Sequence, residues 1–333
     1  MKLSVVIEWE NAVFADCDRT RVMLDRLYTQ AGELRRAGDA SSDDPVQRYY
    51  AAFTEPIEAM VMHDPELIPR ETVEALLWSM APREHADVSM SVVSVPGKRY
   101  YRLKNEGASR SSGDLVLFLD SDVIPSEDWL LRLVGDMADE GVHVVAGAVF
   151  CEHRNFFEKA VSAFWVFPMP PRTRELRREV VLYANNVLFR REIIEAFPYP
   201  ADDHESRGAC ARLYWKLTNQ GYGLYRDNAA RVLHPAPPGL VMLLRRGVAE
   251  GRDGCIYDTV KGVPARLVRA LGRPVRKVGR ATYRAVRFGR DIDLPWWQVP
   301  GVVAMSAVYF TAFMAGGLLA PFAPRLVDKV AAL

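Results

Sequence analysis

The sequence predicts an α/β protein with a mostly parallel, doubly wound sheet and helices on both faces, followed by a helical C-terminal segment. Short apolar runs alternate with amphipathic stretches in the first part of the chain, which is typical of such a sheet. Several of the apolar runs end in acidic residues. Near the C-terminus, 294–324 contains no charged residue and is long enough for a membrane helix.

The first half of the chain reads as four strands separated by helices. Apolar runs predict strands at Ser4–Ile7, Pro56–Asp64, Val88–Val95 and Leu115–Leu119. Apolar residues at helical spacing predict helices at 18–36, Glu71–Met80 and Lys104–Ser112. The regular alternation of the two element types is what predicts parallel pairing of the strands.

The second half of the chain shows a less regular order of elements. The patterns predict a strand at Val144–Val149, then a strand, turn and helix within "VLYANNVLFRREIIEAF". A helix at Arg212–Asn219 and a short strand running into His234 follow. We expect these elements to complete the same domain, and we detect no internal repeat.

Acidic residues follow three of the predicted strands, at Glu8, Asp64 and the Asp120-Ser121-Asp122 motif. Ligands of open α/β sheets bind outside the carboxyl ends of the strands, so these acids are expected to lie at one edge. Two carboxylates in D-x-D spacing can hold a hard divalent cation. The alternative is an ordinary turn and helix cap, which aspartates also favour.

Composition excludes several classes of protein. The 333 residues are 49% hydrophobic and carry a net charge of +1, which favours neither nucleic acid nor an acidic partner. The four cysteines are widely spaced and form no C-x-x-C pair, which argues against a zinc ribbon or a disulfide scaffold. The N-terminus begins directly in a strand-like run without signal-peptide features, so the catalytic part is expected in the cytosol.

The C-terminal third predicts contact with a membrane. Residues 261–290 contain ten Lys or Arg and no acid, and the basic residues recur every three to four positions. Such a face suits anionic lipid headgroups, and the charge-free run 294–324 is expected to enter the bilayer. A buried helix, or a re-entrant segment broken at Gly316-Gly317, is the alternative. The predicted domains are therefore 1–240 (catalytic), 241–293 (basic, juxtamembrane), 294–324 (transmembrane or membrane-associated) and 325–333 (tail).

Four segments resemble, in order and spacing, the inverting glycosyltransferases of family 2. They are "LSVVIEWEN", "AMVMHD", "KNEGASRSSGDLVLFLDSD" and "NNVLFRREIIEAF", and the resemblance covers about Met1 to Pro235. The most specific block is Lys104–Asp122, an N-x-G-x-x-x-x-x-G-[DE] helix that runs into a strand and D-x-D. The resemblance implies the GT-A fold, a nucleotide-sugar donor, an acceptor hydroxyl and a Mg²⁺ or Mn²⁺ ion.

The resemblance also implies roles for individual residues. Asp122 is expected to bind the metal, which His234 would help to hold, and Asp120 to lie by the ribose or behind the metal. Asp64 is expected at the nucleobase edge. The full set of donor-binding residues that we expect is Glu8, Glu10, Asp64, Lys104, Asp120 and Ser121. The acceptor pocket is expected at Asn185 and Asn186. From their charge and position alone, and not from the resemblance, Arg245, Arg246 and Arg252 are expected in a mobile loop near the diphosphate.

The sequence departs from the family at the catalytic base. The family usually has a Glu-Asp pair about a dozen residues before a Gly-Tyr, but Ala209-Cys210 occupy that place here. The nearest acids are Asp202, Asp203 and Glu205. We expect Glu205 or Asp203 to accept the proton of the acceptor hydroxyl, because inversion requires a carboxylate base, and we interpret Cys210 as structural.

The sequence indicates only the chemical class of the substrates. A UDP-sugar is favoured as donor, and the adjacent membrane segment suggests a lipid-linked or cell-envelope glycan as acceptor. The Q-x-x-R-W signature of processive polymer synthases is absent, which predicts transfer of single sugars. Two alternatives stay open at this point. One is a haloacid-dehalogenase-type phosphatase that uses Asp120 and Asp122, and the other is a membrane-tethered nucleotide-binding module without catalysis.

Overall fold

The computed structural model describes most of the chain. The described residues are 1–14, 17–39, 43–98, 100–167, 169, 176–178, 183–200, 209–256 and 263–331. They fall into two compact units. The first holds the described parts of Met1–Val149, Arg172–Glu205 and Ala209–His234, and the second the described parts of Phe150–Pro171 and Pro235–Leu333.

The predicted strands and helices occur in the predicted order, and further short elements lie between them. The strands are β1 (Leu3–Glu8), β2 (Ile57–His63), β3 (Val88–Ser94), β4 (Leu115–Asp120), β5 (Ile124–Pro125), β6 (Val144–Cys151), β7 (Leu176–Arg178), β8 (Asn186–Arg190) and β9 (Leu224–His234). The helices of the first unit are α1 (Glu10–Phe14), α2 (Cys17–Asp39), α3 (Pro45–Ala51), α4 (Arg70–Met80), α5 (Tyr100–Arg110), α6 (Trp129–Asp136), α8 (Arg191–Ala196) and α9 (Ala209–Asn219). Those of the second unit are α7 (Phe156–Phe164), α10 (Gly239–Ile256), α11 (Val263–Phe288), α12 (Val299–Leu319) and α13 (Pro324–Ala331).

The described strands form one mixed sheet in the order β3-β2-β1-β4-β8-β6-β9-β5, and β7 also pairs with β9. Strands β3, β2, β1 and β4 run parallel, as the alternation of strands and helices predicts. Strand β8 is antiparallel to both β4 and β6. The first half of the domain is therefore a doubly wound sheet, and the less regular second half extends it with antiparallel strands.

Strand β4 lies in the middle of this sheet, which explains its unbroken apolar run. Strand β1 flanks it on one side and β8 on the other, and all six of its residues are buried. Phe118 of β4 contacts Phe189 and Tyr199 edge-on, with ring centroids 5.7 Å and 5.5 Å away. A strand buried on both faces carries apolar residues at every position rather than at alternate ones.

Two glycines of the Lys104–Asp122 block have a packing role. A methyl group at Gly107 would collide with Val6 of β1, so only glycine lets α5 lie this close to the sheet. A methyl group at Gly113 would lie 2.5 Å from the backbone nitrogen of Ser4. Asn105 of the same block donates to the carbonyl of Tyr199 (2.8 Å) and accepts from its N–H (2.9 Å). These three positions of the block thus fix α5 against the strands.

Helix α5 begins at Tyr100, four residues before the helix predicted from the sequence. Its first turn holds Tyr100 and Tyr101, whose rings contact each other edge-on at 4.8 Å. Aromatic residues are only average helix formers, so the sequence pattern gives no strong start signal here. The Tyr101 ring also contacts Tyr199, with ring centroids 5.2 Å apart.

The second unit is helical apart from its share of β6. Helix α12 carries no charged residue, and the segment Trp296–Leu319 is long and apolar enough to cross a membrane. This agrees with the predicted C-terminal membrane segment in length and composition. The placement of Arg245, Arg246 and Arg252 in a mobile loop is wrong, because all three lie within α10. Arg252 forms ion pairs there with Asp253 and Asp328, each at 2.9 Å.

Candidate active site

The acidic residues predicted at strand ends do lie at one edge of the sheet. Glu8 ends β1 and stands opposite Asp120, which ends the adjacent strand β4. Asp64 follows the last residue of β2, on the other side of β1. Parallel strands bring their carboxyl ends to the same edge, so the three carboxylates share it by topology.

Asp120, Asp122 and His234 form a group that could hold a metal ion. One ligand atom of each lies within 4.8 Å of the others, and all three side chains are buried. His234 ends β9, whose residue Leu233 pairs with Ile124 just beyond Asp122. Two carboxylates and an imidazole suit Mn²⁺ or Mg²⁺ better than a soft metal, so the donor set fits the ion that the sequence predicts.

Asp120 is held by two partners from α5. The ammonium of Lys104 lies 2.6 Å from Oδ1 of Asp120, and the Tyr100 hydroxyl donates to Oδ2 at 3.0 Å. Lys104 is fully buried, and its ammonium lies 4.7 Å from the centre of the Tyr100 ring. Lys104 therefore acts on Asp120 directly, which differs from a lysine that extends into solvent toward a donor phosphate. A buried carboxylate with two such partners has a fixed orientation.

Glu8 adds a further carboxyl group to this edge. It is fully buried, and the Glu10 N–H and the Asn11 amide donate to it, the latter at 2.9 Å. Burial raises the pKa of Glu8 well above its usual value, and the negative charge of Asp120 raises it further. Because its pKa is raised, Glu8 binds a proton more easily than an ordinary glutamate. Protonation of Glu8 lowers the electrostatic repulsion between the carboxylates of the site when no cation is present.

Arg19 of α2 joins the two chain segments that carry the metal-site residues. Its Nε donates to the backbone carbonyl of Asp122 and its Nη2 to that of Leu233, both at 2.8 Å. The side chain is 7% exposed. Arg19 is not marked by the sequence pattern, because an arginine in an amphipathic helix is usually solvated. The only signal in the sequence is that Arg19 shares a helix face with Met23 and Leu27, both buried.

Asp64 closes a turn and also joins two loops. Its Oδ1 accepts from the N–H groups of Glu66 (3.0 Å) and Gly97 (3.1 Å). Gly97 lies in the loop after β3 and has φ 65°, a conformation that glycine adopts at little cost. Asp64 is 2% exposed, so its position at the sheet edge is fixed by these contacts.

The two asparagines predicted at the acceptor pocket differ in their surroundings. The amide of Asn186 accepts from the Trp129 indole N–H (2.7 Å) and donates to the carbonyl of Ala230 (3.2 Å). Its polar groups thus hold strands together and are not available to a ligand. Asn185 is also buried, and its Oδ1 has no hydrogen-bond partner among the described residues. The same holds for the hydroxyl of Ser121, between the two aspartates of the motif.

The predicted catalytic bases Asp203 and Glu205, and Asp202 beside them, lie outside the described residues. Cys210 occupies the usual base position. Its Sγ and the Tyr101 hydroxyl lie 3.2 Å apart and share a hydrogen bond. Burial raises the pKa of the Cys210 thiol, so the thiolate is disfavoured. This agrees with a structural role for Cys210 and leaves the proton transfer to another residue.

Part of the chain is similar to known glycosyltransferases. Residues 86–197, which include the Lys104–Asp122 block, match the model of a family described as Glycosyl transferase family 2. Glycosyltransferase AglE of Haloferax volcanii is 28% identical over 139 residues. That match covers 41% of this chain and 45% of the archaeal protein, so less than half of the relative is spanned.

A similar fold occurs in a solved structure from Pyrobaculum calidifontis. It is the mannosyltransferase PcManGT, determined in complex with GDP-Man and Mn²⁺. The TM-score is 0.53 and the sequence identity 16%, and the match covers 95% of this chain and 87% of that one. At this identity the likeness concerns the fold, and it confirms the predicted GT-A architecture. The family match favours a glycosyltransferase over the phosphatase.

Proposed function

We propose that this protein, which carries a glycosyltransferase family 2 domain with the GT-A fold, moves a sugar from a nucleotide-sugar donor to an acceptor hydroxyl with inversion. The observation that carries the proposal is the group formed by Asp120, Asp122 and His234 at the carboxyl ends of the strands. It lies where an open α/β sheet binds its ligand, and Asp120 and Asp122 lie within the family match.

The donor would bind along the sheet edge. Asp122 and His234 would hold a Mg²⁺ or Mn²⁺ ion, which when bound neutralises the negative charge of the departing diphosphate. Asp120, oriented by Lys104 and Tyr100, would stand behind these ligands or accept from the ribose. Asp64 is fixed by its turn and would accept from the nucleobase edge.

Further residues would complete the donor pocket. Glu8 and Glu10 are linked through a hydrogen bond and would line the nucleoside side. Ser121 has a buried hydroxyl without a hydrogen-bond partner among the described residues, and this hydroxyl would donate a hydrogen bond to the nucleotide sugar. We propose a UDP-sugar as donor, in keeping with the sequence analysis.

The acceptor would enter beside Asn185, whose Oδ1 has no partner among the described residues and would accept from an acceptor hydroxyl. A carboxylate, Asp203 or Glu205, would take the proton of the attacking hydroxyl. The oxygen of the acceptor hydroxyl then bonds to the anomeric carbon of the sugar as the bond from that carbon to the diphosphate oxygen breaks. This inverts the configuration at the anomeric carbon. Asn186 is not part of this proposal, because its amide is bonded within the sheet.

The acceptor class follows from the second unit. The chain carries a helix long and apolar enough for a membrane and a basic segment before it. We therefore propose a lipid-linked acceptor at the cytoplasmic face of a membrane. Transfer of a single sugar is expected.

The proposal is tested by measuring transfer directly. Full-length protein is incubated with labelled UDP-, GDP-, CDP- or dTDP-sugars, with polyprenyl phosphate in vesicles, and with or without Mn²⁺. We expect metal-dependent transfer from one nucleotide class, and the anomeric configuration of the product, read by NMR, should be the opposite of the donor's. Asp122→Asn should abolish transfer. Asp128→Asn is the matched control, because Asp128 is half exposed and its partners among the described residues are Arg132 and the Ser126 hydroxyl.

Other outcomes would contradict the proposal. Cleavage of a phosphomonoester without turnover of any nucleotide sugar would identify a phosphatase. Metal-dependent binding of a nucleotide without turnover, in the presence of several acceptors, would identify a binding module. Asp203→Asn and Glu205→Gln separate the two candidate bases. Only the substitution of the true base should lower kcat strongly with little change in donor binding.

A further inference from the structure

The helical unit that contains α12 bears charged groups along both sides of that helix. The backbones of α10 and α12 touch, because methyl groups at Gly251 and Gly316 would collide with the carbonyls of Phe313 and Val248. At Gly247 a methyl group would lie 3.1 Å from the carbonyl of Tyr309. Helix α10 thus lies directly against the middle of α12.

Helix α10 carries five ionisable residues close in sequence to the glycines of this contact. They are Arg245, Arg246, Glu250, Arg252 and Asp253. On the side of α11, the ammonium of Lys277 lies 4.2 Å from the centre of the Phe313 ring and 5.3 Å from that of Phe310. If α12 crossed a bilayer with these neighbours in place, Arg246, Glu250 and Lys277 would lie level with Tyr309–Phe313, inside the hydrocarbon. Ionisable side chains are strongly disfavoured there, so the packing of the unit argues against a crossing.

The same unit nevertheless exposes an unusual amount of apolar surface. Only 39% of the most apolar window in Trp296–Leu319 is buried, so α12 is not an ordinary core helix. Trp296 is 83% exposed at the start of the segment, and Phe322 is 76% exposed just after α12. Surface this apolar is found where a protein meets a partner or a membrane.

Helix α11 has an exposed face suited to an interface between lipid and water. Leu271, Val275, Tyr283 and Val286 are all exposed, and their spacing puts them within about a third of the helix circumference. Exposed arginines, Arg276, Arg280 and Arg287, follow on the adjoining strip. A helix with an apolar face bordered by cations lies in the plane of the interface and prefers anionic lipid.

We propose that this unit binds the surface of an anionic bilayer in plane, with α11 in the headgroup region and Trp296, Trp297 and Phe322 as inserted anchors, and that α12 does not cross. The occupant is lipid rather than an acidic protein because apolar and cationic side chains share one continuous face. A second protein copy would carry the same positive charge, since 261–290 contains no acid. The inference goes beyond the proposed transfer reaction. It shares with the proposed function only the location of the protein at a membrane.

The test is vesicle flotation of the full-length protein, without donor or metal. We expect flotation with phosphatidylcholine–phosphatidylglycerol vesicles, weaker flotation with phosphatidylcholine alone, and release by high salt or alkaline carbonate. Val275→Glu combined with Trp297→Ala should lower the partition coefficient roughly tenfold or more. Both side chains are exposed, so the fold should be kept, as circular dichroism would check. Trp215→Ala is the matched control, because Trp215 and Trp297 are both 63% exposed and Trp215 lies in the catalytic unit.

Three results would overturn this inference. Resistance to alkaline carbonate would mean that α12 spans the bilayer. Equal flotation of the double variant and the control would mean that another surface binds lipid. Absence of flotation together with a dimer in solution would mean that the apolar face pairs two copies. Asp122→Asn should float like the unmodified protein, so a failure here is distinct from a failure of the proposed transfer reaction.

Discussion

At the scale of single residues, the candidate site consists of buried charges that fix one another. Asp120 contacts Lys104 and Tyr100, and Glu8 stands beside it with a raised pKa. Buried ionic groups are costly unless they are paired, so such a group in a domain core marks a site kept for its chemistry rather than for stability.

Arg19 should position the metal site without touching a metal. Its guanidinium bridges the carbonyls of Asp122 and Leu233, which a lysine ammonium could not do in the same planar geometry. We predict that Arg19→Lys weakens Mn²⁺ binding about 10- to 100-fold, the usual effect of removing a group that orients metal ligands. Mn²⁺ titration followed by thermal shift or isothermal calorimetry measures this.

The control for this variant lies on the same helix. Arg26 of α2 is more exposed and pairs with Glu127 at 3.3 Å, so Arg26→Lys should leave Mn²⁺ binding unchanged. If Arg19→Lys bound Mn²⁺ as tightly as the control, the bridge between the two segments would have no role in the site.

Asp136 gives the stability of the first unit a dependence on pH. Burial raises its pKa to about 7, with a further contribution from Asp227. An unfolded aspartic acid ionises near pKa ~3.9, so stability falls as the pH rises from there through the folded pKa. Asp136→Asn removes the buried charge, and the variant should gain several degrees in Tm over the unmodified protein at about pH 8. At about pH 5 the gain should be clearly smaller. An equal gain at both pH values would contradict this account.

The sequence identifies some of these residues and not others, for a physical reason. Asp64, Asp120, Asp122 and His234 stand at the ends of apolar runs, and the ends of strands can be read from a local pattern. Arg19 and Tyr100 function through partners that are distant in the chain, so no local pattern marks them. The sequence places Asn185 and Asn186 together, but it does not show that the two side chains have different surroundings. Only the structure shows that Asn186 is hydrogen-bonded to Trp129.

At the scale of elements, the close contact of α5 with β1 should be sensitive to one methyl group. Gly107→Ala would press a methyl group into Val6 Cγ1, while Met62 Cγ would lie 3.3 Å away. We predict a loss of about 1–3 kcal/mol in the free energy of unfolding, which is typical of overpacking in a tight core. Denaturant unfolding measures it.

Gly279→Ala serves as the control for this substitution. It also lies in a helix, but no described atom lies within 4 Å of the added methyl group. Alanine is the better helix former, so this variant should be neutral or slightly more stable. If the two variants unfolded alike, the packing role of Gly107 would be wrong.

The predicted elements agree with the structure best where their pattern is local. Strands β1, β2, β3 and β4 lie within one residue of the predicted ends at every boundary. Helix α5 begins four residues before its predicted start, because the aromatic residues of its first turn give no strong helix signal in the sequence. The antiparallel pairing of β8 with β4 and β6 joins distant segments, so the strand pattern alone could not supply it.

At the scale of the whole molecule, hydropathy alone does not separate a spanning helix from one that lies on a membrane. The run 294–324 is apolar in both cases. The structure adds the contacts of α12 with α10 through Gly251 and Gly316, which lie 65 positions apart in the sequence. It also groups the described part of Phe150–Pro171 with the C-terminal helices, which no sequence pattern indicates.

The central claim is that Asp122 and its neighbours form a metal-dependent nucleotide site. The most direct test is a thermal-shift measurement with UDP, GDP, CDP and dTDP, each with and without Mn²⁺, on the unmodified protein and on Asp122→Ala. A ligand at a hundred times its Kd stabilises the folded state by about 2.7 kcal/mol, which corresponds to roughly 5–10 °C for a domain of this size. We predict such a shift for one nucleotide, only with Mn²⁺, and its loss in Asp122→Ala. A full shift in Asp122→Ala, or no shift with any of the four nucleotides, would contradict the account.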